Sequence, residues 1–232
     1  MIDIFICAYL RQLFTGKTIN YLKSRTKTPY RLFLIDNGGN EEFEGEVDYY
    51  LKLPNLGVHA AWNIALSLAE NKYFITSDND IYVPDLEPDW LSQVINFMNE
   101  RPDYGAISLH PHIFIGAATI DPKDKEDVKE RNMCGAVMRI MRTSVIQQTG
   151  GWERRIGQGR NNEERVISSR IHDAGYKTGI CARIRAYHPF GDNWGYPEEF
   201  TPEMQKHNPE LKDYVKQFDQ PQAYDERTWL PK

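Results

Sequence analysis

The chain has 232 residues, of which 41% are hydrophobic and 12% aromatic, and this is enough for one well-filled core. Its formal net charge is −5 and it carries no run of lysine and arginine, which argues against a nucleic-acid partner. Three widely spaced cysteines (Cys7, Cys134 and Cys181) fit neither a disulfide framework nor a zinc site. They indicate a reducing, cytoplasmic compartment.

Apolar strands and helices alternate over the first 80 residues. The N-terminal apolar stretch is short and carries Asp3, so it indicates a strand rather than a signal peptide. No run reaches the length of a membrane span, so at most peripheral contact with a membrane is expected. Strands are predicted at 2–8, 30–35, 47–53 and 72–77, and helices over 13–23 and through 64–68. This order predicts an α/β fold, a mainly parallel sheet with helices on both faces.

The second half is less regular. Predicted helices cover 88–99, 143–148 and a segment from 161 to near Gly175, and predicted strands cover 105–110, 133–140 and 178–187. The mixed-charge stretch 121–131 is expected to be a solvated loop or a short helix. We expect one domain over 1–195, with a nucleotide-binding half (1–84) and an acceptor half (85–195). The C-terminal extension 196–232 would wrap the domain, cover the site or bind a partner.

Polar clusters follow three of the predicted strands, at Ala8-Tyr9, Asp36-Asn37 and Asp78-Asn79-Asp80. In extended chain, residues two apart point to the same side, so Asp78 and Asp80 can hold a hard divalent cation together. The alternative is an ordinary turn, because Asp and Asn are common turn residues. In parallel sheets ligands bind beyond the carboxyl ends of the strands. Three clusters meeting at one edge therefore favour a site.

Several short motifs resemble, in order and spacing over about 2–190, those of a family 2 glycosyltransferase with the GT-A fold. They are Leu34-Ile35-Asp36-Asn37-Gly38, Asn55-Leu56-Gly57 with Ala61-Trp62-Asn63, Asp78-Asn79-Asp80 (the DXD motif), Cys134-Gly135-Ala136 with Gly150-Gly151-Trp152-Glu153, Glu163-Glu164 with Arg170 and Gly175-Tyr176, and His188. Each motif is weak alone, whereas six in register are fairly specific.

The resemblance implies transfer of a sugar from a nucleoside-diphosphate-sugar to a hydroxyl acceptor, whether glycan, lipid-linked or other. It implies Mn²⁺, or Mg²⁺, held by Asp80 and His188, with Asp78 at the ribose or the water shell of the metal. The implied general base is Glu164, with Glu163 as the alternative, and Trp152 is a candidate sugar platform for the acceptor. The implied donor-binding residues are Ala8, Tyr9, Asp36, Asn55, Asn63, Asp78, Asn79, Gly135 and Arg160.

Simpler interpretations stand beside these roles. Asp36 can form only a turn with the glycines after it, and His188 can be a surface histidine. Trp152 can belong to the core. Glu163 and Glu164 can serve only the dipole of a helix N-terminus. The loop 156–160 is either a lid over the diphosphate or a solvated basic loop.

Three positions depart from the family pattern. Trp62 stands where the family often has arginine, so Arg154, Arg155 or Arg160 would have to contact the diphosphate. Glu164 stands where aspartate is usual. Ala8-Tyr9-Leu10-Arg11 replaces the common Pro-Thr-Tyr-Asn.

The sequence thus favours an inverting, hexosyltransferase-type enzyme in glycan or polysaccharide assembly, although a retaining enzyme could share the fold and the DXD motif. One alternative is an inactive protein of the same fold that binds carbohydrate or nucleotide. A sugar nucleotidyltransferase ranks lower, because it should carry a glycine-rich phosphate loop after the first strand, and the segment 8–13 has no glycine.

Overall fold

A computed structural model describes residues 1–112, 127–153 and 163–188. The expectations for Arg154, Arg155, Arg160, the loop 156–160 and the extension 196–232 lie outside these residues. Within the described ranges, no helix is long and apolar enough to span a membrane. The elements in chain order are β1 (Ile2–Ala8), α1 (Gln12–Arg25), β2 (Tyr30–Asp36), a 3-10 helix (Glu41–Glu46), β3 (Tyr49–Lys52), α2 (Val58–Leu68), β4 (Tyr73–Asp78), α3 (Trp90–Glu100), β5 (Tyr104–His112), β6 (Val128–Glu130), β7 (Arg139–Arg142), α4 (Thr143–Gln148), α5 (Glu163–Asp173) and β8 (Lys177–Tyr187).

The strands form one eight-stranded sheet in the order β3-β2-β1-β4-β7-β5-β8-β6. Strands β1 to β4 pair in parallel, as do β5 and β8, whereas β7 and β6 run antiparallel to their neighbours. The predicted α/β fold with a mostly parallel sheet is therefore confirmed. The carboxyl ends of β1, β2 and β4 meet at one edge of the sheet.

The two faces of the sheet carry separate apolar cores. Alternation along β1 sends Ile4 and Ile6 to the face covered by α1 and α3, and Phe5 to the face covered by α2, α4 and α5. Helix α3 starts after Asp89, whose carboxylate accepts hydrogen bonds from the backbone N–H groups of the first turn. These buried faces explain why apolar periodicity located most elements.

Three elements differ from the prediction, and one of them is the 3-10 helix (Glu41–Glu46), where no element was expected. The described part of the mixed-charge stretch holds strand β6 rather than a loop or helix. Lys129 and Glu130 give this edge strand the charge that protects an unpaired edge, and the same charge concealed it in the sequence. Strand β7 begins at Arg139, later than expected, because the preceding backbone at Ala136 bonds outside the sheet ladder, to Asp78 and to Glu164.

Candidate active site

Asp36 lies fully buried at the carboxyl end of β2 and organises the turn that follows. Its carboxylate accepts hydrogen bonds from Gly38 N (2.8 Å), from Asn40 N and Nδ2 (both 3.2 Å) and from the Tyr50 hydroxyl (2.7 Å). Burial and the charge of Asp36 raise the pKa of Tyr50, so this hydroxyl stays a donor. The turn expected for Asp36 is therefore present. Its contact with a nucleoside stays a prediction.

A buried polar chain ties this turn to the loops after β1 and β4. The Asn40 side-chain oxygen accepts from the Thr15 hydroxyl (2.8 Å), which accepts from Asn79 Nδ2 (2.8 Å). Asn79 Nδ2 also donates to Leu10 O (3.1 Å), and Leu10 N donates to Gly38 O (2.8 Å). Asn79, expected to bind the donor, thus has its side-chain nitrogen engaged in a fixed internal network that holds the three loops together.

The segment after β1 packs on the same turn. Ala8 is buried, and its carbonyl accepts from Asn37 N (2.7 Å). A Cβ on Gly38, which has φ +137°, would lie 3.6 Å from the Tyr9 ring. Asn37 donates from Nδ2 to Cys7 Sγ (3.3 Å), and its buried Oδ1 has no hydrogen-bond partner among the described residues. Tyr9 and an unsatisfied acceptor therefore flank the nucleoside position that the resemblance implies.

Asp80 stands between the guanidinium of Arg11 and the imidazole of His188. Its Oδ2 accepts from Arg11 Nη1 at 2.7 Å, while its buried Oδ1 lies 3.6 Å from His188 Nε2 and has no hydrogen-bond partner in the described structure. His188 reaches this point because Tyr82 and Tyr187 exchange two backbone hydrogen bonds, at 2.8 and 2.9 Å. Residues from the two halves of the chain thus meet at one carboxylate.

The charges in this cluster divide unevenly between the two aspartates. Burial opposes ionisation of Asp80, but His188 and Arg11 outweigh it and lower its pKa. Burial likewise disfavours the charged imidazole of His188, but Asp80 outweighs it and raises the pKa. Burial, and then the charges of Asp80 and two glutamates, raise the pKa of Asp78 from 3.8 to about 8. At neutral pH Asp80 is therefore ionised, and the raised pKa of Asp78 favours its protonated form.

An oxygen without a hydrogen-bond partner facing an imidazole nitrogen fits a divalent cation, because carboxylate and imidazole are the donor set that Mn²⁺ accepts. Among the described residues no group of three or more His, Cys, Asp or Glu side chains is placed to hold a metal ion. Asp80 and His188 would therefore supply two ligands, and substrate oxygens and water would supply the rest. The neighbouring Asp78 stays the candidate third contact.

Glu164 and Asp78 are linked through the backbone of one residue, Ala136. Its Oε1 accepts from Ala136 N (2.9 Å), and Ala136 O accepts from Asp78 N (3.3 Å). A Cβ on Gly135 would lie 3.3 Å from Glu164 Oε1, so a larger residue there would press on this carboxylate. Glu163 is 6% exposed, and its Oε2 lacks a hydrogen-bond partner among the described residues. Both glutamates thus face the carboxylate cluster.

The buried guanidinium of Arg139 is a feature that the sequence analysis missed. It donates from Nε to Thr76 Oγ1 (3.2 Å) and from Nη1 to Cys134 O (3.2 Å), and it lies 5.3 Å from the Trp152 ring centre. Burial raises the pKa of Glu164, and the charge of Arg139 is the largest effect that opposes this rise. The only signal in the sequence was an arginine inside the apolar run 136–141.

Helix α2 and the segment after α4 are joined by Asn63, whose Oδ1 accepts from Trp152 N (2.9 Å). Asn55 closes a turn before α2 by accepting from Gly57 N (3.0 Å). Trp62 and Trp152 are both buried, with ring centres 6.5 Å apart. Trp152 thus sits in the core, the simpler interpretation, and its acceptor role stays a prediction without support from this position. Buried Trp62 offers nothing to a diphosphate.

The two glycines before Trp152 should respond differently to alanine. Both have positive φ, at +77° and +70°, but a Cβ on Gly150 meets open space, whereas on Gly151 it lies 2.6 Å from Asn63 Oδ1 and 2.8 Å from Leu66 Cδ2. We expect Gly150→Ala to lower the free energy of unfolding by about 1–2 kcal/mol. Gly151→Ala should lower it by a further ~1–3 kcal/mol, measured by urea unfolding. If both variants lost the same free energy of unfolding, the side chains of Asn63 and Leu66 would be able to move away from the new methyl group without cost.

This fold, with its carboxylates at the carboxyl edge of the sheet, is that of the GT-A glycosyltransferases. The chain matches the family described as Glycosyl transferase family 2 over residues 3–164, and it belongs to this family. A search of the curated proteins found no match.

Solved structures with a similar fold include three glycosyltransferases. S. aureus TarS 1–349 with UDP-GlcNAc has a TM-score of 0.61 and 12% identity, covering 98% of this chain and 68% of that one. GalNAc-T7 with UDP, GalNAc and Mn²⁺ has a TM-score of 0.64 and 13% identity, covering 81% and 43%. The mannosyltransferase PcManGT from Pyrobaculum calidifontis with GDP-Man and Mn²⁺ has a TM-score of 0.62 and 12% identity, covering 92% and 68%.

Proposed function

We propose that this protein is a metal-dependent glycosyltransferase that moves a sugar from a nucleoside-diphosphate-sugar to a hydroxyl acceptor, with inversion, in glycan or polysaccharide assembly. The observation that carries the proposal is Asp80 Oδ1, buried without a hydrogen-bond partner and 3.6 Å from His188 Nε2. The complexes of the similar structures with UDP-GlcNAc, with UDP and Mn²⁺, and with GDP-Man and Mn²⁺ support this choice of ligand.

The residues at the edge of the sheet would divide the work of donor binding. The turn at Asp36 and the ring of Tyr9 would hold the nucleoside, and Asp80 with His188 would hold the metal. When bound, the divalent cation neutralises charge that builds up on the diphosphate leaving group. Because Asp80 is already ionised and fixed by Arg11, little reorganisation is needed to bind a cation.

Glu164 would take the proton from the acceptor. As the hydroxyl oxygen attacks the anomeric carbon, the new glycosidic bond forms, the bond to the diphosphate breaks, and the proton passes to the carboxylate. Attack from the side opposite the diphosphate inverts the anomeric configuration. The bond from Ala136 N fixes one carboxylate oxygen, and burial raises the pKa, which strengthens Glu164 as a base.

The test is a thermal shift series with UDP, GDP, CDP and dTDP, each with Mn²⁺ and with EDTA. One nucleotide at a hundred times its dissociation constant should stabilise the protein by about 2.7 kcal/mol, or about 5–10 °C, only with Mn²⁺. Asp80→Ala should abolish this shift, whereas Asp85→Asn, an exposed carboxylate five residues away, should keep it. Donor hydrolysis by the stabilised protein then measures turnover.

Two results would contradict the proposal in different ways. If no nucleotide shifts the melting temperature with or without Mn²⁺, the carboxylate cluster is not a nucleotide site. If one nucleotide binds with Mn²⁺ but no sugar is released or transferred from its sugar conjugates, the protein is a binding member of the family and not an enzyme.

A further inference from the structure

The segment 134–138, which leads into β7, is tied to β4 and to α5. Ser77 on β4 accepts a hydrogen bond at its Oγ from Met138 N (3.3 Å). Ser168 on α5 accepts one at its Oγ from Cys134 N (3.0 Å). Met138 has a left-handed backbone, with φ of 43°. Such an angle costs energy for a residue other than glycine and persists only where the surroundings fix it. The segment is therefore a rigid connection between β4 and α5.

Arg139, the first residue of β7, holds this segment from the core side. It pairs with Thr76 across the β4–β7 ladder, and its Nε donates to Thr76 Oγ1 (3.2 Å). Its Nη1 donates to Cys134 O (3.2 Å). Residues two apart in a strand point to the same side, so Thr76 and Asp78 lie on one face of β4. The guanidinium therefore lies on the same face as Asp78, one residue pair further into the sheet.

The bonding of Arg139 differs from that of Arg142, a structural arginine at the other end of the same strand. The Nε, Nη1 and Nη2 atoms of Arg142 all donate within the fold, to Tyr104 O, the Tyr73 hydroxyl and Met98 O. Arg139 is fully buried, yet its Nη2 has no hydrogen-bond partner among the described residues. A guanidinium keeps its charge in proteins, and a buried charge with incomplete bonding costs stability. Stability alone therefore does not explain an arginine at this position.

The carboxylate of Glu164 depends on the same segment for its position. Its Oε1 accepts from Ala136 N (2.9 Å), two residues after the carbonyl that Arg139 holds. A shift of the segment would therefore move this carboxylate. A general base must lie within hydrogen-bond reach of the proton that it takes, and a misplacement of about 1 Å can cost about 100-fold in rate.

We propose that Arg139 is a positioning residue for sugar transfer: by holding the Cys134 carbonyl it fixes the segment 134–138 and, through Ala136 N, the carboxylate of Glu164. This inference rests on the proposed function, in which Glu164 takes the proton of the acceptor hydroxyl. Because Arg139 is fully buried, it does not reach the donor. It therefore acts on kcat and not on the affinity for the nucleotide.

The test compares Arg139→Met, which keeps the length of the side chain, with Arg139→Lys and with the matched control Arg142→Met. Arg139→Met should lower kcat by about 100-fold and keep the KM of the donor within about twofold. Arg139→Lys keeps a cation that can donate to Cys134 O, so it should recover part of the loss. Arg142→Met removes an arginine from the end of β7 away from the site, so it should lower the melting temperature but leave kcat unchanged.

A double-mutant cycle separates positioning of the base from general damage to the fold. In the Glu164→Gln background, Arg139→Met should lower kcat no further, because its effect passes through that carboxylate. A merely structural role would lower kcat by the same factor in both backgrounds. Ser168→Ala provides a second, smaller change, because it removes the acceptor of Cys134 N at the same segment. It should lower kcat by about 10-fold, again only when Glu164 is present.

The inference is overturned if Arg139→Met keeps the kcat of the wild type, or if it lowers kcat equally with and without Glu164. It is also overturned if Glu164→Gln itself keeps the wild-type rate. Should Arg139→Met fail to fold, an unchanged kcat in Ser168→Ala overturns it. If the wild type transfers and releases no sugar with Mn²⁺ and any of the donors, the proposed function fails and the inference falls with it. The two failures are therefore distinguished by the activity of the wild type.

Discussion

Replacing Glu164 by glutamine should lower the rate of sugar transfer by about 10²–10⁴-fold, because glutamine cannot take the proton of the acceptor hydroxyl. Its side-chain oxygen can still accept the hydrogen bond from Ala136 N, so the fold and the affinity for the nucleotide should persist. Glu163→Gln is the matched control, because it removes the neighbouring carboxylate of the same cluster. The measurement is kcat at saturating donor, with the melting temperature recorded for each variant.

The pH dependence gives a second readout of the same base. Burial raises the pKa of Glu164 above its ordinary 4.5, so the wild-type rate should fall as the pH drops through that raised value and the carboxylate becomes protonated. The glutamine variant should lose this acid limb. A loss in Glu163→Gln with a normal rate in Glu164→Gln would move the base to Glu163, the alternative that the sequence left open.

Replacing Asp78 by asparagine should stabilise the metal-free protein. The pKa of Asp78 is about 8 in the folded state against 3.8 ordinarily, so the folded state keeps a proton that the unfolded state loses. Stability therefore falls as the pH rises from about 4 to 8, and the whole cost is present above pH 8. At pH 8 the free energy of unfolding of the variant should be about 1–2 kcal/mol higher than that of the wild type, and its melting temperature roughly 2–8 °C higher. Gains of this size are common when a destabilising charge is removed.

Asp80→Asn is the matched comparison, and it should act in the opposite direction. The pKa of Asp80 is lowered in the folded state, so its charge stabilises the protein above the ordinary pKa, and this stability disappears as the pH falls through the lowered value. Losing the bond to Arg11 should cost about 1.5–3 kcal/mol. Thermal unfolding in EDTA from about pH 3 to pH 9 measures both variants. If Asp78→Asn instead lowered the melting temperature, the ionised carboxylate of Asp78 would not destabilise the folded protein.

Sequence reasoning succeeded where local pattern and burial agree. The strands that became β1, β2 and β4 are continuous apolar runs because both of their faces are covered, and each is closed by polar residues. It failed at β6, where charge on an exposed edge outweighs the strand pattern. The β-propensity of a residue reflects how buried the residue is. A charged edge strand is exposed to solvent as a loop is, so the two look alike in the sequence.

The sequence predicted which residues lie at the candidate site, but it predicted only some of the contacts between them. Asp36, Asp78 and Asp80 lie at strand ends, which the alternation of elements locates. That His188 lies near Asp80 came from the resemblance, and the contact depends on the pairing of Tyr82 with Tyr187, for which the chain carries no local signal. The contact between Arg11 and Asp80 follows two left-handed residues, Leu10 and Arg11, that no pattern in the segment 8–13 indicates.

The bridge between Tyr82 and Tyr187 also bears on the order of folding. It joins chain segments separated by most of the described domain, and β8 must first insert between β5 and β6. Contacts of such long sequence separation form late, because the entropy of closing the intervening loop must be overcome first. Asp80 and His188, the proposed cation ligands, should therefore come together only when the sheet is complete. A partly folded chain emerging from the ribosome would then form the turn at Asp36, proposed to hold the nucleoside, before it could form the proposed metal site.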